Sequence, residues 1–175
     1  FDGYDPDLAA EEIAETTMDL SQTFTLTATD EAGTQVAQCI QQDLAAIGIN
    51  VEVASVDVNT WSSQLTDQTL QMFINALGTD MLAADSFIQL LLGDTSVYYF
   101  PISDELKAKV AEMNSIPSVV ERHDLVVELL NDMQTECPIV PLYDTINYDV
   151  YTKGIEGYLP SSAGTYVYYL GKLTK

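Results

Sequence analysis

Between Phe24 and Val53 the hydrophobic period runs from two, to about 3.6, and back to two, and this constrains the fold more than anything else in the chain. Phe24-Thr25-Leu26-Thr27-Ala28-Thr29 alternates apolar residues with threonine, the pattern of a half-buried strand. Asp30 to Gly33 breaks it. Val36, Ile40, Leu44 and Ile47 then recur every three or four residues, which predicts an amphipathic helix of about four turns. Gly48 falls just past its end, where a left-handed cap residue belongs. Ile49, Val51 and Val53 alternate with Asn50 and Glu52 and predict a second strand. Strand, helix and strand with short connections make a βαβ unit, whose strands are parallel with a right-handed crossover. The expected class is α/β, with a mixed, mostly parallel sheet flanked by helices.

The remaining segments extend this plan. Asp5 and Pro6 suit the cap and first position of a short acidic helix through Ala14. Asn59 or Thr60 is expected to cap a short helix carrying Trp61 and Leu65. Leu70, Met72, Ile74 and Ala76 alternate as a third strand, which ends at Leu77-Gly78-Thr79-Asp80. A helix is expected from Asp85 to Leu92, and another capped by Ser103 with Leu106, Val110 and Met113 on one face. Ser118 and Glu121 have capping-box spacing and are expected to open a last helix through Val126, Leu129, Leu130 and Met133. Pro138 to Tyr143 reads as an extended segment, whose two prolines suit an edge or crossing strand. The tail from Tyr143 to Tyr169 holds seven of the ten tyrosines.

Composition narrows function by exclusion. The chain has 175 residues, enough for one domain with a full core, and 47% are hydrophobic, which argues against a disordered tail. No apolar run approaches the roughly 20 residues that span a bilayer. The net charge is -21, from 27 acids against six bases, and Lys107 is the first base in the chain. Binding a phosphate backbone needs clustered cations, so nucleic acid is excluded as a partner, as is adhesion to anionic membrane. A small cation or an amine-bearing ligand suits this field, although solubility is the main reading of the charge. Cys39 and Cys137 form no CxxC and sit among apolar neighbours, so buried free thiols are expected. His123, the only histidine, is expected on a solvated helix face, and no metal or other cofactor is expected. Asp2, Asp5 and Asp7 are spaced like the start of a calcium loop but lack its glycine and bidentate Glu.

No catalytic residue is assigned. There is no GxSxG, P-loop or GxGxxG, and one histidine leaves little base for a Ser or Cys nucleophile. A small acidic hydrolase is the enzymatic alternative, because paired carboxylates leave no sequence signature.

Four segments, in this order, resemble a known family. They are Tyr4-Asp5-Pro6-Asp7-Leu8-Ala9; Val36 to Leu44 with Ile47-Gly48-Ile49-Asn50-Val51; Leu77-Gly78-Thr79-Asp80 with Asp85-Ser86-Phe87; and Glu121-Arg122 with Cys137 to Tyr143 and Gly154 to Tyr158. The chain resembles the third domain of the oligopeptide, dipeptide and nickel class of solute-binding proteins for ABC importers, family 5. The resemblance implies a periplasmic-binding-protein-like lobe over residues 1–175, cut from a longer two-lobe receptor. It also implies that the tail from 143 to 175 returns toward the other lobe. A start at Phe1, without Met or a signal sequence, is what a removed leader or a fragment would give. The implied activity is capture of a peptide-like solute by hinge closure and delivery to a membrane permease, without catalysis. The implied location is extracytoplasmic, with a lipid anchor on the full-length protein.

The expected ligand-binding residues are Asp80, Thr79, Gly78, Leu77, Trp61 and Asn59. In peptide-binding relatives the aspartate matching Asp80 pairs with the ligand's α-amino group, a strong charge-assisted bond in a closed cleft. The bland reading of Asp80 is a helix cap. Trp61 could line the cleft, and core packing is its ordinary role. The loop departs from the family pattern at Leu77 and Met81, which stand where the family has aromatic residues, and at Leu82 to Ala84, which replace prolines. Those changes keep a non-peptide ligand, a nickel chelate or an oligosaccharide, as the alternative.

Overall fold

Thr23–Ala28 forms β1, and its alternating residues give it one face to bury. The computed structural model describes residues 3–77, 83–144, 146, 148, 150–158 and 174. The chain divides into two units, Phe1–Ala76 and Leu77–Lys175.

The first unit opens with α1 (Pro6–Glu15), capped by Asp5, whose carboxylate accepts the Leu8 N–H at 2.9 Å. After β1 come α2 (Glu31–Ala46), β2 (Asn50–Ser55), α3 (Val58–Thr66) and β3 (Met72–Phe73). The three strands form one sheet in the order β2-β1-β3. Both pairings are parallel, with Thr23 to Ala28 against Asn50 to Ser55, and Leu26 and Thr27 against Met72 and Phe73. The βαβ expectation is therefore met, and the fold is α/β. The sole antiparallel contact among the described residues is an isolated bridge between Glu156 and Thr174.

Leu26, Ala37 and Val51 form the buried core, with Phe24, Ile40, Leu44, Ile49, Val53, Met72 and Ile74 packed on it. Burying a Leu or Val side chain contributes about 1.5–3 kcal/mol each. Two glycines fit α2 into place. Gly48 lies at φ 85° and donates to Ala45 O at 3.1 Å, while Ile49 donates to Leu44 O at 2.9 Å. These two bonds satisfy helix-end carbonyls and turn the chain into β2. At the other end, a Cβ on Gly33 would lie 3.1 Å from Asp30 Oδ1 and 3.5 Å from the side chains of both Ala28 and Ile74, so α2 starts close against the sheet.

Two details differ from expectation. The cap of α3 is Asp57, two residues before Asn59 and three before Thr60. The third strand is shorter than the alternation from Leu70 to Ala76 predicts. The Thr25 N–H bonds to the Gln71 side-chain oxygen at 2.7 Å instead of a backbone carbonyl. Beyond the strand, Ile74 still donates to Thr27 O at 2.8 Å.

The second unit contains α4 (Ala84–Leu92), α5 (Asp104–Ser115) and α6 (His123–Glu136). Ile88, Leu106, Val110, Met113, Val126 and Leu129 make its core, at the three- and four-residue spacings read from the sequence. Ser103 caps α5 through a 3.0 Å bond from the Leu106 N–H. Its own N–H donates to Glu136 at 2.8 Å, and its hydroxyl bonds the same carboxylate. The Lys109 ammonium sits 2.7 Å from both Glu128 and Asp132 and 3.6 Å from Glu105, linking α5 to α6. Its hydrogen bonds to Asp132 first, and then to Glu128, raise its pKa.

Three further expectations fail. Ser118 does not open α6: its hydroxyl accepts the Glu121 N–H at 3.4 Å and closes a separate turn, and the helix starts at His123. Pro138 to Tyr143 belongs to no described strand. Its prolines lack N–H groups, and it follows Cys137, which ends α6 in the left-handed conformation at φ 50°. The two thiols are free, but neither is buried: Cys39 is exposed and Cys137 half-buried. His123 is exposed, as expected.

Candidate functional site

In an open parallel sheet, ligands bind beyond the carboxyl ends of the strands, where the strand order reverses. Here the reversal falls at β1: the chain moves to one side to form β2, then crosses back to form β3 on the other. The edge in question carries Thr29 and Asp30 after β1, Val56 and Asp57 after β2, and Ile74 and Asn75 after β3.

Two aspartates organise this edge. Asp30 accepts the Gly33 N–H at 2.6 Å and so caps α2. The Thr34 hydroxyl donates to Asp30 O at 2.7 Å and lies 3.3 Å from the Ser55 hydroxyl, joining the ends of β1 and β2. Asp57 accepts the backbone N–H groups of Asn59 at 2.9 Å and Thr60 at 3.1 Å, and the Thr60 hydroxyl at 2.6 Å. The Thr60 hydroxyl is the largest cause of its lowered pKa, followed by the Thr60 N–H. Hydrogen bonds to the charged form favour it, so Asp57 stays ionised at the helix start.

The expected ligand-binding residues divide into three groups. Asn59 lies exposed in the first turn of α3, on this edge. Trp61 is half-buried and turns its ring onto Phe73 of β3, edge to face, with centroids 5.8 Å apart. Its indole Nε1 is buried without a hydrogen-bond partner among the described residues, and so is Oε1 of Gln64, one turn further along α3. Leu77 is partly exposed in the connection that leaves β3. Gly78, Thr79 and Asp80 lie outside the described residues. Asn59 thus lies on this edge, and Trp61 packs its ring against Phe73 of β3.

Sequence reasoning missed two features. One is Asp57, although an Asp directly before a helical run is itself a cap signal. The other is an ion pair in the second unit. Arg122 Nε donates to Asp85 Oδ2 at 2.6 Å, and its Nη2 bonds the same oxygen. Its Nη1 reaches the carbonyls of Ile116 at 2.9 Å and Pro117 at 3.2 Å. Asp85 is 8% exposed. No group of three or more His, Cys, Asp or Glu residues arranged for a metal occurs among the described residues.

Residues 1–99 match the family described as bacterial extracellular solute-binding proteins, family 5 Middle. The chain belongs to this family. Among curated relatives, the peptide transport periplasmic protein SapA of Salmonella typhimurium is 25% identical over 138 residues, covering 74% of this chain and 25% of that protein. The chain therefore spans about a quarter of the length of that relative. Two solved structures share the fold. The dipeptide binding protein from Pseudoalteromonas sp. SM9913, in complex with Met-Leu, superposes with a TM-score of 0.75 at 16% identity, covering 98% of this chain and 36% of that one. NikA from Staphylococcus aureus, in complex with Ni(L-His)2, superposes with a TM-score of 0.62 at 16% identity, covering 77% of this chain and 30% of that one. Asp85 and Arg122 belong to separate segments that carry the family resemblance in sequence, and the fold brings them together.

Proposed function

We propose that residues 1–175 form one ligand-binding lobe of an extracytoplasmic receptor that captures a peptide-like solute and hands it to an ABC permease. The family match over residues 1–99 is the observation that carries this reading. Binding is by closure of two lobes around the ligand, without chemistry on it. The full-length protein is lipid-anchored outside the cytoplasmic membrane. The tail from 143 to 175 runs toward the other lobe, and the exposure of Ile146, Tyr148 and Val150 supports a covering partner there.

Asp80 is the ligand's charged anchor in this proposal, pairing with an α-amino group. Gly78, Thr79, Leu77, Asn59 and Trp61 are the other residues proposed to contact the ligand. The parallel sheet supports this, because β3 delivers the chain into that loop at the edge where such folds bind ligands. Calorimetric titration of the full-length receptor with mixed di- to hexapeptides tests the reading. Heat is expected with a peptide subset and is expected to be lost in Asp80→Asn. Heat only with nickel chelates or oligosaccharides would sink the peptide assignment. That second reading is favoured by Leu77 and Met81, which replace an aromatic platform.

A further inference from the structure

We propose that Gln41 guards an open edge of the sheet: its amide holds the Val51 carbonyl and so keeps β2 from pairing with the same strand of a second copy of this chain.

The register decides which backbone groups face outward. β2 is an end strand of the described sheet, with β1 on one side of it. Val56 donates its N–H to Ala28 O at 3.0 Å, and Ala28 stands opposite Ser55. In a parallel ladder a bonded residue reaches the two residues that flank its opposite number. Asn50, Glu52 and Ala54 therefore turn their backbone groups toward β1, and Val51, Val53 and Ser55 turn theirs away from it. An outward row of this kind is a template for adding another strand.

One side chain meets that row. Gln41 reaches from α2, and its Nε2 donates to Val51 O at 2.6 Å. Two copies meeting antiparallel about a two-fold axis at Val53 would use all three outward residues. In that pairing Val53 bonds its counterpart, and Val51 O accepts the Ser55 N–H of the other copy, twice by symmetry. The Gln41 amide stands at that carbonyl in each copy. Water can satisfy a carbonyl on an open edge, so the Gln41 bond adds little to stability. What it changes is access to the edge. Charge is a second barrier, since a net -21 opposes the approach of another copy at low salt. Salt weakens that repulsion and leaves the guard in place.

The test is sedimentation velocity of the full-length protein in about 1 M sodium chloride, where screening shortens to about 3 Å, over a roughly hundredfold range of concentration. A reductant is present, because Cys39 is an exposed thiol close to Gln41 in sequence. The parent is expected to stay a monomer throughout. Gln41→Ala, which keeps a strong helix former, is expected to move toward about twice the mass as concentration rises. Gln41→Met, which also lacks the donor, serves if the alanine variant does not fold. Adding Ser55→Pro removes the N–H needed at the interface and no bond to β1, and should return the variant to a monomer. A Gln41→Ala protein that stays monomeric at every concentration overturns the guard. So does a parent that dimerises as readily as the variant. A dimer that survives Ser55→Pro overturns it too, because its interface then lies elsewhere.

Discussion

Gly48 and Asp85 show what single residues carry here. At φ 85° a side chain is strained even where space is free, and nothing lies within 4 Å of a Cβ built on Gly48. Gly48→Ala is expected to cost roughly 1 kcal/mol in urea unfolding, from backbone strain alone. A loss several times larger would mean that the site is crowded as well. Asp85 should show itself through pH. Its pKa is lowered, first by the hydrogen bond from Arg122, with burial opposing. A lowered folded pKa means stability that is full above the unfolded value, about 4, and is lost as pH falls through the folded value. The difference in urea midpoint between the parent and Asp85→Asn should thus be full near pH 6 and shrink below about pH 4. An equally large gap in strong acid would show that the charge pair is not its source. Nothing in the sequence joins Asp85 to Arg122, because residues 37 positions apart meet only through the packing of three helices.

At the scale of elements, caps and core spacings were largely legible. Asp5, Ser103 and Gly48 act where the sequence places them, since each rule involves groups within one turn of chain. The misplaced cap of α3 shows the limit: Asp57, Asn59 and Thr60 are all cap-forming types, and the choice depends on where β2 releases the chain. Asp57→Ala should therefore lower the thermal midpoint clearly, while Asn59→Ala, whose side chain is not the cap, should leave it nearly unchanged. The reverse order would restore the sequence-based cap. In the helical unit, Leu129 is fully buried, and Leu129→Ala should cost about 2–5 kcal/mol by chemical denaturation. A cost under 1 kcal/mol would show that the core relaxes into the space. The failed strand at Pro138 to Tyr143 has a plain cause: extended sequence needs a neighbour to become a strand, and local pattern does not report one.

Across the whole molecule, 27 acids face six bases, so repulsion between like charges opposes compaction. Few ion pairs occur among the described residues for salt to weaken; the clearest are those of Lys107, Lys109 and Arg122. Raising sodium chloride from about 10 to about 150 mM, where screening shortens to about 8 Å, should therefore raise the thermal midpoint. A fall would mean that the few pairs outweigh the general repulsion. The α/β class was legible from one stretch of 30 residues, whereas the position of β3 beside β1 was not, since alternation shows that a strand exists and not which neighbour it takes.

The order β2-β1-β3 also bears on how the chain can assemble as it leaves the ribosome. The middle strand is the first of the three to be synthesised. β2 arrives next and takes one open side of β1, and β3 comes last and takes the other. Growth is outward at every step, so no formed pairing has to be broken to admit a later strand.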